Sequence, residues 1–253
     1  MNLLLKLFLL VKAIDNFPTA ILDKLGFVSG EVVYKMRGKR LMFIARGGSA
    51  DMSEIAMVAS GSEYDLNLLK LPQNPVAVDL GGNIGTFSIP FAKSFKQSKI
   101  FTFEPDADNY KILLQNIKLN SASQVHPINL AISDYKGEGY LKKENLGTDA
   151  YQLDPKSKIT NCLVTTLPLA MLSKKIKKID LLKIDIEGAE YNILLHKQSF
   201  DYIKKNAHYI FMEYHNIDSH HNYSLIKNLI EKNFKILDQH GVTLALENIN
   251  WKN

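Results

Sequence analysis

Cysteine is almost missing from this chain: Cys162 is the only one in 253 residues. A single thiol excludes an intrachain disulfide framework. Its neighbours Leu163 and Val164 predict a buried strand position rather than a nucleophile, and such cysteine usage fits a cytoplasmic location. Long apolar runs are also lacking. The most apolar stretch, residues 1–12, is interrupted by Lys6 and is too short to span a bilayer. No small-residue cleavage pattern follows it, so a secretory signal is not expected. Leu3, Leu4, Leu7, Leu10 and Val11 fall on one helical face. That predicts a helix packed on the rest of the protein or on a partner subunit, or one that makes a peripheral membrane contact. Charge of one sign is weak too, with 31 Lys+Arg against 26 Asp+Glu and a net +5. The densest basic run, residues 174–178, is a solvated loop before a strand. No sustained basic stripe with interleaved aromatics occurs, nor an Asn-Pro-Pro-Tyr run of the kind used by amino-methylating DNA enzymes. Nucleic acid is therefore not an expected partner. No internal repeat, low-complexity tract or long linker is present.

What is present suits one large α/β domain with an N-terminal extension. Residues 31–46 predict a hairpin and 53–61 a short helix. The two prolines in residues 71–75 mark a boundary, so the expected organisation is an extension over 1–70 and a main domain over 71–253. Strands are predicted at 127–132, 161–166, 179–184 and 208–213. Helices are predicted after Glu104-Pro105, with Asp106 or Asp108 as cap, and over 224–232. Residues 234–237 and 242–246 are joined by too few residues for a crossover, so that pair must be antiparallel. The polar segment 135–160, with Gly137, Gly139 and Gly147, is expected to be an irregular substrate lid.

The most informative stretch is residues 76–85, Val-Ala-Val-Asp-Leu-Gly-Gly-Asn-Ile-Gly. An apolar strand ends in Asp79 and breaks into a loop with three glycines. Glycines there let a ligand lie against backbone, and a new helix presents free N–H groups to it. A second apolar strand, residues 100–105, ends in Glu104, whose carboxylate can accept both hydroxyls of a ribose. Together these point to a nucleoside-bearing cofactor. The dinucleotide template fails because Asn83 stands where its second glycine belongs, and no phosphate-binding lysine follows.

The Asp-x-Gly-x-Asn-x-Gly spacing resembles the first motif of class I S-adenosylmethionine (SAM) methyltransferases. With Phe103-Glu104-Pro105 and the run Leu-Leu-Lys-Ile-Asp-Ile-Glu-Gly-Ala-Glu at 181–190, the chain resembles the FkbM methyltransferase family. Residues 46–51 and 62–64, 129–134 and 164–167 are softer echoes, and the likeness covers roughly 30–215. It implies a Rossmann-like α/β fold with a seven-stranded, mostly parallel sheet closed by a C-terminal antiparallel hairpin. It also implies SAM as cofactor and methyl transfer to a hydroxyl oxygen, foremost of a sugar in a glycan or glycolipid, with a secondary metabolite as the alternative acceptor. Gly81, Gly82 and Gly85, with Asn83 between them, would leave room for the methionine part of SAM. Asp79 would orient the loop or hold the SAM ammonium through water. Glu104 would take the ribose, Ala131 and Ile132 would flank the adenine, and Tyr64 would close over the cofactor. The chain departs from the family at Pro168, at His196-Lys197 and at Pro90, where a helix kink is expected.

A sugar hydroxyl is a poor nucleophile, so a general base helps. Asp185, Glu187, Glu213 and His215 are the candidates. Pairing with Glu213 would make His215 a base near neutral pH. Glu187 precedes Gly188 at a helix start, where capping competes with chemistry. Lys183 is expected to pair with a carboxylate. Asp185, Glu213 and His215 carry donor types suited to Mg²⁺, but their spacing does not demand a metal and none is expected. A nicotinamide dehydrogenase is disfavoured by Asn83, and a non-catalytic scaffold by the intact cofactor motifs. A homo-oligomer is kept as a candidate assembly.

Overall fold

A computed structural model describes residues 11–60, 64–143, 151–153, 160–217 and 222–252. The proposed amphipathic helix of residues 1–12 lies almost wholly outside them, as do Ser62 and Glu63. No helix among the described residues is long and apolar enough to cross a membrane.

The described chain begins with α1 (Phe17–Lys24) and an antiparallel hairpin, β1 (Glu31–Met36) and β2 (Leu41–Arg46). Tyr34, Met36, Leu41, Phe43 and Ala45 are all buried, the period-two pattern of a sheet with one covered face. Then come α2 (Asp51–Ser60), β3 (Val76–Leu80), α3 (Ser88–Ser94), β4 (Lys99–Phe103), α4 (Ala107–Leu119) and β5 (Val125–Ile128). Asp106 caps α4, accepting from the N–H groups of Asp108 and Asn109. Pro90 is the third residue of α3. Its neighbours Ile89 and Phe91 donate to the carbonyls of Gly85 and Phe87, so the missing Pro90 N–H leaves a single gap in the first turn.

A second group follows: β6 (Ala131–Ser133), β7 (Gly137–Lys143), β8 (Tyr151–Leu153) and β9 (Thr160–Thr166). The rest is α5 (Leu167–Ser173), β10 (Ile179–Ile184), α6 (Glu190–Leu195), α7 (Lys197–Asn206), β11 (Ala207–Glu213), α8 (Tyr223–Asn233), β12 (Phe234–His240) and β13 (Thr243–Asn248).

The large sheet has seven strands in the order β12-β13-β11-β10-β3-β4-β5. The five from β11 to β5 are parallel, and β13 runs antiparallel to both β11 and β12. From β3 the chain winds outward through β4 and β5; from β10 it winds the other way. The β3/β10 seam is thus the topological switch point, where open α/β sheets bind ligands. Apolar clusters cover both faces.

Two expectations need correcting. The strand predicted over 127–132 is two strands, since the chain leaves the large sheet after Ile128 and joins another at Ala131. The segment 135–160 is not irregular throughout. β7 and β8 pair with β9 and β6 in a four-stranded sheet of order β6-β9-β7-β8, in which Cys162 is buried. Residues 144–150 and 154–159 lie outside the described part, so the lid expectation is not addressed there.

The hairpin is tied to the main domain by side-chain amides. Asn116 and Asn120, one turn apart on α4, each both donate to and accept from the backbone of β2, at Ile44 and Met42. A free strand edge needs such cover. Asn116 also donates to the Ile84 carbonyl in the glycine loop.

Candidate functional site

A cavity of about 330 Å³ opens at the carboxyl ends of the strands around the switch point. That volume lies in the range of small-molecule sites. Tyr64, Gly81, Asn83, Glu104, Ala131, Asp185, Glu187 and Glu213 line it; Asp79, Gly82, Gly85 and His215 do not. α2 contributes a wall through Ser53, Glu54 and Met57, a contribution that the sequence pattern did not reveal.

The glycine loop is spent on the protein itself. The N–H groups of Gly81 and Gly82 both donate to the Phe103 carbonyl, at 3.0 and 2.9 Å. Asn83 N–H donates to Glu104 Oε2 at 2.7 Å, and Gly85 N–H to the Gly82 carbonyl at 2.8 Å. The N–H groups of this loop are therefore engaged within the protein at all four positions. A phosphate cradle needs such groups, and these are occupied. The glycines answer to protein neighbours as well as to any ligand. At Gly81, φ is +83° and a Cβ would overlap the Asp185 carbonyl oxygen across the seam; at Gly82 it would overlap the Thr102 methyl group.

Asp79 is fully buried behind the loop. It accepts from the Ser88 hydroxyl and faces Lys183 Nζ at 3.4 Å. Burial pushes its carboxyl above the usual range, against the pull of Lys183 and Ser88. Lys183 Nζ also donates to the Gly81 carbonyl at 2.9 Å and lies 3.2 Å from Asp185 Oδ2. One buried ammonium thus ties β3, the loop and β10 together.

Glu104 is also buried. Its Oε1 accepts from the Asp106 N–H at 2.8 Å and its Oε2 from Asn83. Burial is the chief influence on its carboxyl and raises it to about 7, despite those donors. Each carboxylate oxygen has two acceptor directions, and the Asn109 side chain also bonds this carboxylate, so only a share of them remains for a ligand. Asn83, at φ +43°, sends its side-chain amide to Glu54 Oε2 at 2.7 Å, which joins α2 to the loop. Ala131, Ile132, Leu130 and Leu141 form an apolar wall nearby. Asp134, just past this wall, is not among the lining residues.

The other end of the cavity is acidic. Asp185 follows β10, Glu187 sits in a left-handed turn at φ +53°, and Glu213 ends β11. The Tyr64 hydroxyl donates to Asp185 Oδ2 at 3.3 Å, while its ring packs on Phe87 and Phe211. His215 lies behind this group. Its Nδ1 is 3.0 Å from Glu190 Oε1, and its Nε2 is 3.4 Å from Glu187 and 3.8 Å from Glu213. Burial lowers its basicity, but the bond to Glu190 and the charges of Glu190, Glu187 and Asp185 outweigh this and raise it to about 10. The imidazole is thus an imidazolium at neutral pH. That conflicts with its expected part as a free base, because three carboxylates surround it where one was anticipated.

Glu190 is the residue that sequence reasoning missed. It has no exposure, accepts from the N–H groups of Ile186 and Gly188 at 2.9 and 2.8 Å, and so fixes the 185–189 turn. The only signal was its place four residues beyond Ile186 at the head of α6. Pro168 is the second residue of α5, and His196 caps α7 with its ring bonded to Ser199; neither lines the cavity, so the expected influence of these departures on the acceptor side has no direct contact behind it.

Residues 79–238 match the model of the methyltransferase FkbM domain. Methyltransferase sdnD of Sordaria araneosa is 28% identical over 53% of this chain and 64% of its own length. Methyltransferase 1 of Beauveria bassiana is 26% identical over 71% of this chain and 77% of its own. The chain therefore spans just under two thirds of the first relative. The crystal structure of methyltransferase FkbM from Methylobacillus flagellatus superposes with a TM-score of 0.51 at 15% identity, over 80% of this chain and 55% of that one. That likeness shows the shared fold.

Proposed function

The chain belongs to the FkbM family of SAM-dependent methyltransferases, and from this we propose that it moves the methyl group of SAM to a hydroxyl oxygen of a polyhydroxylated acceptor, a sugar before other secondary metabolites. The observation that carries the acceptor class is the acidic end of the cavity. Asp185, Glu187 and Glu213 present carboxylates, which accept hydrogen bonds and donate none. A polyol brings several O–H donors to such a surface.

The cofactor end would hold SAM as follows. Glu104 accepts the ribose hydroxyls, the Ala131–Leu141 wall takes the adenine, and the methionine part lies along the glycine loop. Held by these residues, SAM would supply its methyl group toward the acidic end. The acceptor oxygen attacks with a lone pair, the new C–O bond forms, and the C–S bond breaks with its electron pair going to sulfur. The hydroxyl proton passes to Glu187 or Glu213. Asp185, already engaged by Tyr64 and Lys183, orients the acceptor, and His215 keeps Glu187 and Glu213 in place. Holding oxygen, carbon and sulfur in line supplies most of the rate.

The test is calorimetric titration with SAM and S-adenosylhomocysteine, followed by turnover on a panel of sugars and hydroxylated metabolites. Binding with methyl transfer to oxygen is expected, and transfer to nitrogen or carbon would overturn the acceptor class. Binding without turnover across the panel would favour a non-catalytic subunit.

A further inference from the structure

The acidic end gathers more than hydrogen-bond acceptors. One carboxylate oxygen each from Asp185 and Glu187 and one ring nitrogen of His215 all lie within 4.8 Å of one another. They come from just past the ends of two adjacent strands, β10 and β11, and from the turn between β10 and α6, so the fold itself brings them together. Three further features bear on what they hold. First, the His215 ring is held from outside the trio. Glu190, buried and anchored by two backbone N–H groups, holds Nδ1, which leaves Nε2 directed at Glu187. A carboxylate behind one ring nitrogen is how proteins present the other to a metal. Second, Asp185 uses only Oδ2 for Tyr64 and Lys183; its Oδ1 accepts no hydrogen bond among the described residues. Third, Asp185, Glu187 and Glu213 line the cavity, so an ion at the trio would keep open positions facing the acceptor.

From this convergence we infer that Asp185, Glu187 and His215 form a binding site for a divalent cation at the acceptor end of the cavity. Two carboxylates and one imidazole, with open positions for water or substrate oxygens, suit Mn²⁺ or Mg²⁺ better than a soft metal. The cation competes with the Nε2 proton for one lone pair, so His215 enters the site as neutral imidazole. The inference rests on the proposed function and narrows its substrate class to acceptors with two neighbouring oxygens, such as a vicinal diol, that bind the cation together. The cation would make the acceptor hydroxyl more acidic. The hydroxyl proton goes to Glu213, the oxygen attacks the methyl carbon, and the C–S electron pair stays on sulfur.

The experiment is an electron paramagnetic resonance titration of the full chain with Mn²⁺ in the presence of S-adenosylhomocysteine. One site per chain is expected. Glu187→Gln and Asp185→Asn should each weaken it by about tenfold or more, the usual loss for a disturbed metal site. S-adenosylhomocysteine binding, measured in parallel, reports that each variant is folded. His215→Gln, which keeps a polar side chain of similar reach, is the second check. No bound Mn²⁺ in a wild type that binds S-adenosylhomocysteine overturns the inference, as does Mn²⁺ binding unchanged in all three variants. Full methyl transfer after chelator treatment overturns it too, while the proposed function stands. Mn²⁺ held by the trio in a protein that methylates no acceptor leaves the site in place and removes the proposed function instead.

Discussion

At the cofactor end of the cavity, backbone groups bond to backbone groups and to one buried carboxylate, and a Cβ at Gly81 or Gly82 has no room. At the acceptor end, just across the β3/β10 seam, the surface is side chains: carboxylates of Asp185, Glu187 and Glu213, with an imidazole behind them. The first end is specified by chain geometry and tolerates little change. The second is specified by charge and can be altered one group at a time.

The sharpest way to break the contrast is Gly81→Ala. The added methyl would overlap the Asp185 carbonyl, a backbone atom in the next strand, and φ at this position is +83°. Neither can adjust without parting β3 from β10. A loss of about 4 kcal/mol or more in urea unfolding is expected, at the severe end for single changes, together with loss of SAM binding. An ordinary unfolding midpoint would mean that the seam is softer than its packing implies.

Glu104→Gln tests the cavity-lining carboxylate of the rigid end that accepts from the loop backbone. Charged hydrogen bonds contribute about 1.5–3 kcal/mol, so SAM affinity should fall by roughly 10–100-fold. The wild type should also lose affinity in acid. The Glu104 carboxyl is raised to about 7, so it takes up a proton as pH falls through that value and its acceptor positions are lost. Affinity should drop by about tenfold per pH unit below 7. In Glu104→Gln that slope should vanish. A wild-type slope that persists in the variant would assign it to another group.

Asn116→Ala probes how far the rigidity extends. Its amide bonds both Ile44 in β2 and Ile84 in the glycine loop, so its loss strands buried backbone groups on both sides. The expected cost is about 1–3 kcal/mol of stability, with a weaker effect on SAM affinity than Glu104→Gln. Stability lost with no change in affinity would show that the hairpin braces the fold without steadying the loop.

Much of the rigid end was legible in the sequence, and the reason is physical. The strands of the large sheet are apolar runs ended by acids or glycines, because a parallel sheet is buried on both faces and its strand ends carry the ligand. Asp79, Gly81, Glu104 and Asp185 stand out on that pattern alone. What was hidden depends on partners distant in the chain. Asn116 and Asn120 look like ordinary polar positions on α4, and nothing local says that they cover the edge of β2. Glu54 meets Asn83 only after the extension folds back over the loop. β7 is a polar strand with two glycines, so it carries no apolar alternation to announce it. Glu190 resembles a routine acid in a helical first turn, and its hold on His215 appears only when β11 is laid beside β10.

The smallest expected effect concerns that imidazole, and it tests whether the acceptor end is set by charge. His215 is raised from an ordinary 6.5 to about 10. A base raised in the folded state contributes stability fully below its unfolded value, and that contribution fades as pH rises through the folded one. The window is therefore pH 6.5 to 10. Comparing wild type with His215→Gln in urea, the gap should be about 1 kcal/mol at pH 6 and should close by pH 10. The figure is modest because glutamine can still bond Glu190, and because Glu187 and Glu213, at 3.4 and 3.8 Å, are partly exposed. A gap that is the same at both pH values would mean that His215 is held by shape and hydrogen bonding rather than by its charge. The acceptor end would then share the geometric logic of the glycine loop, and the contrast between the two ends would rest on Asp185, Glu187 and Glu213 alone.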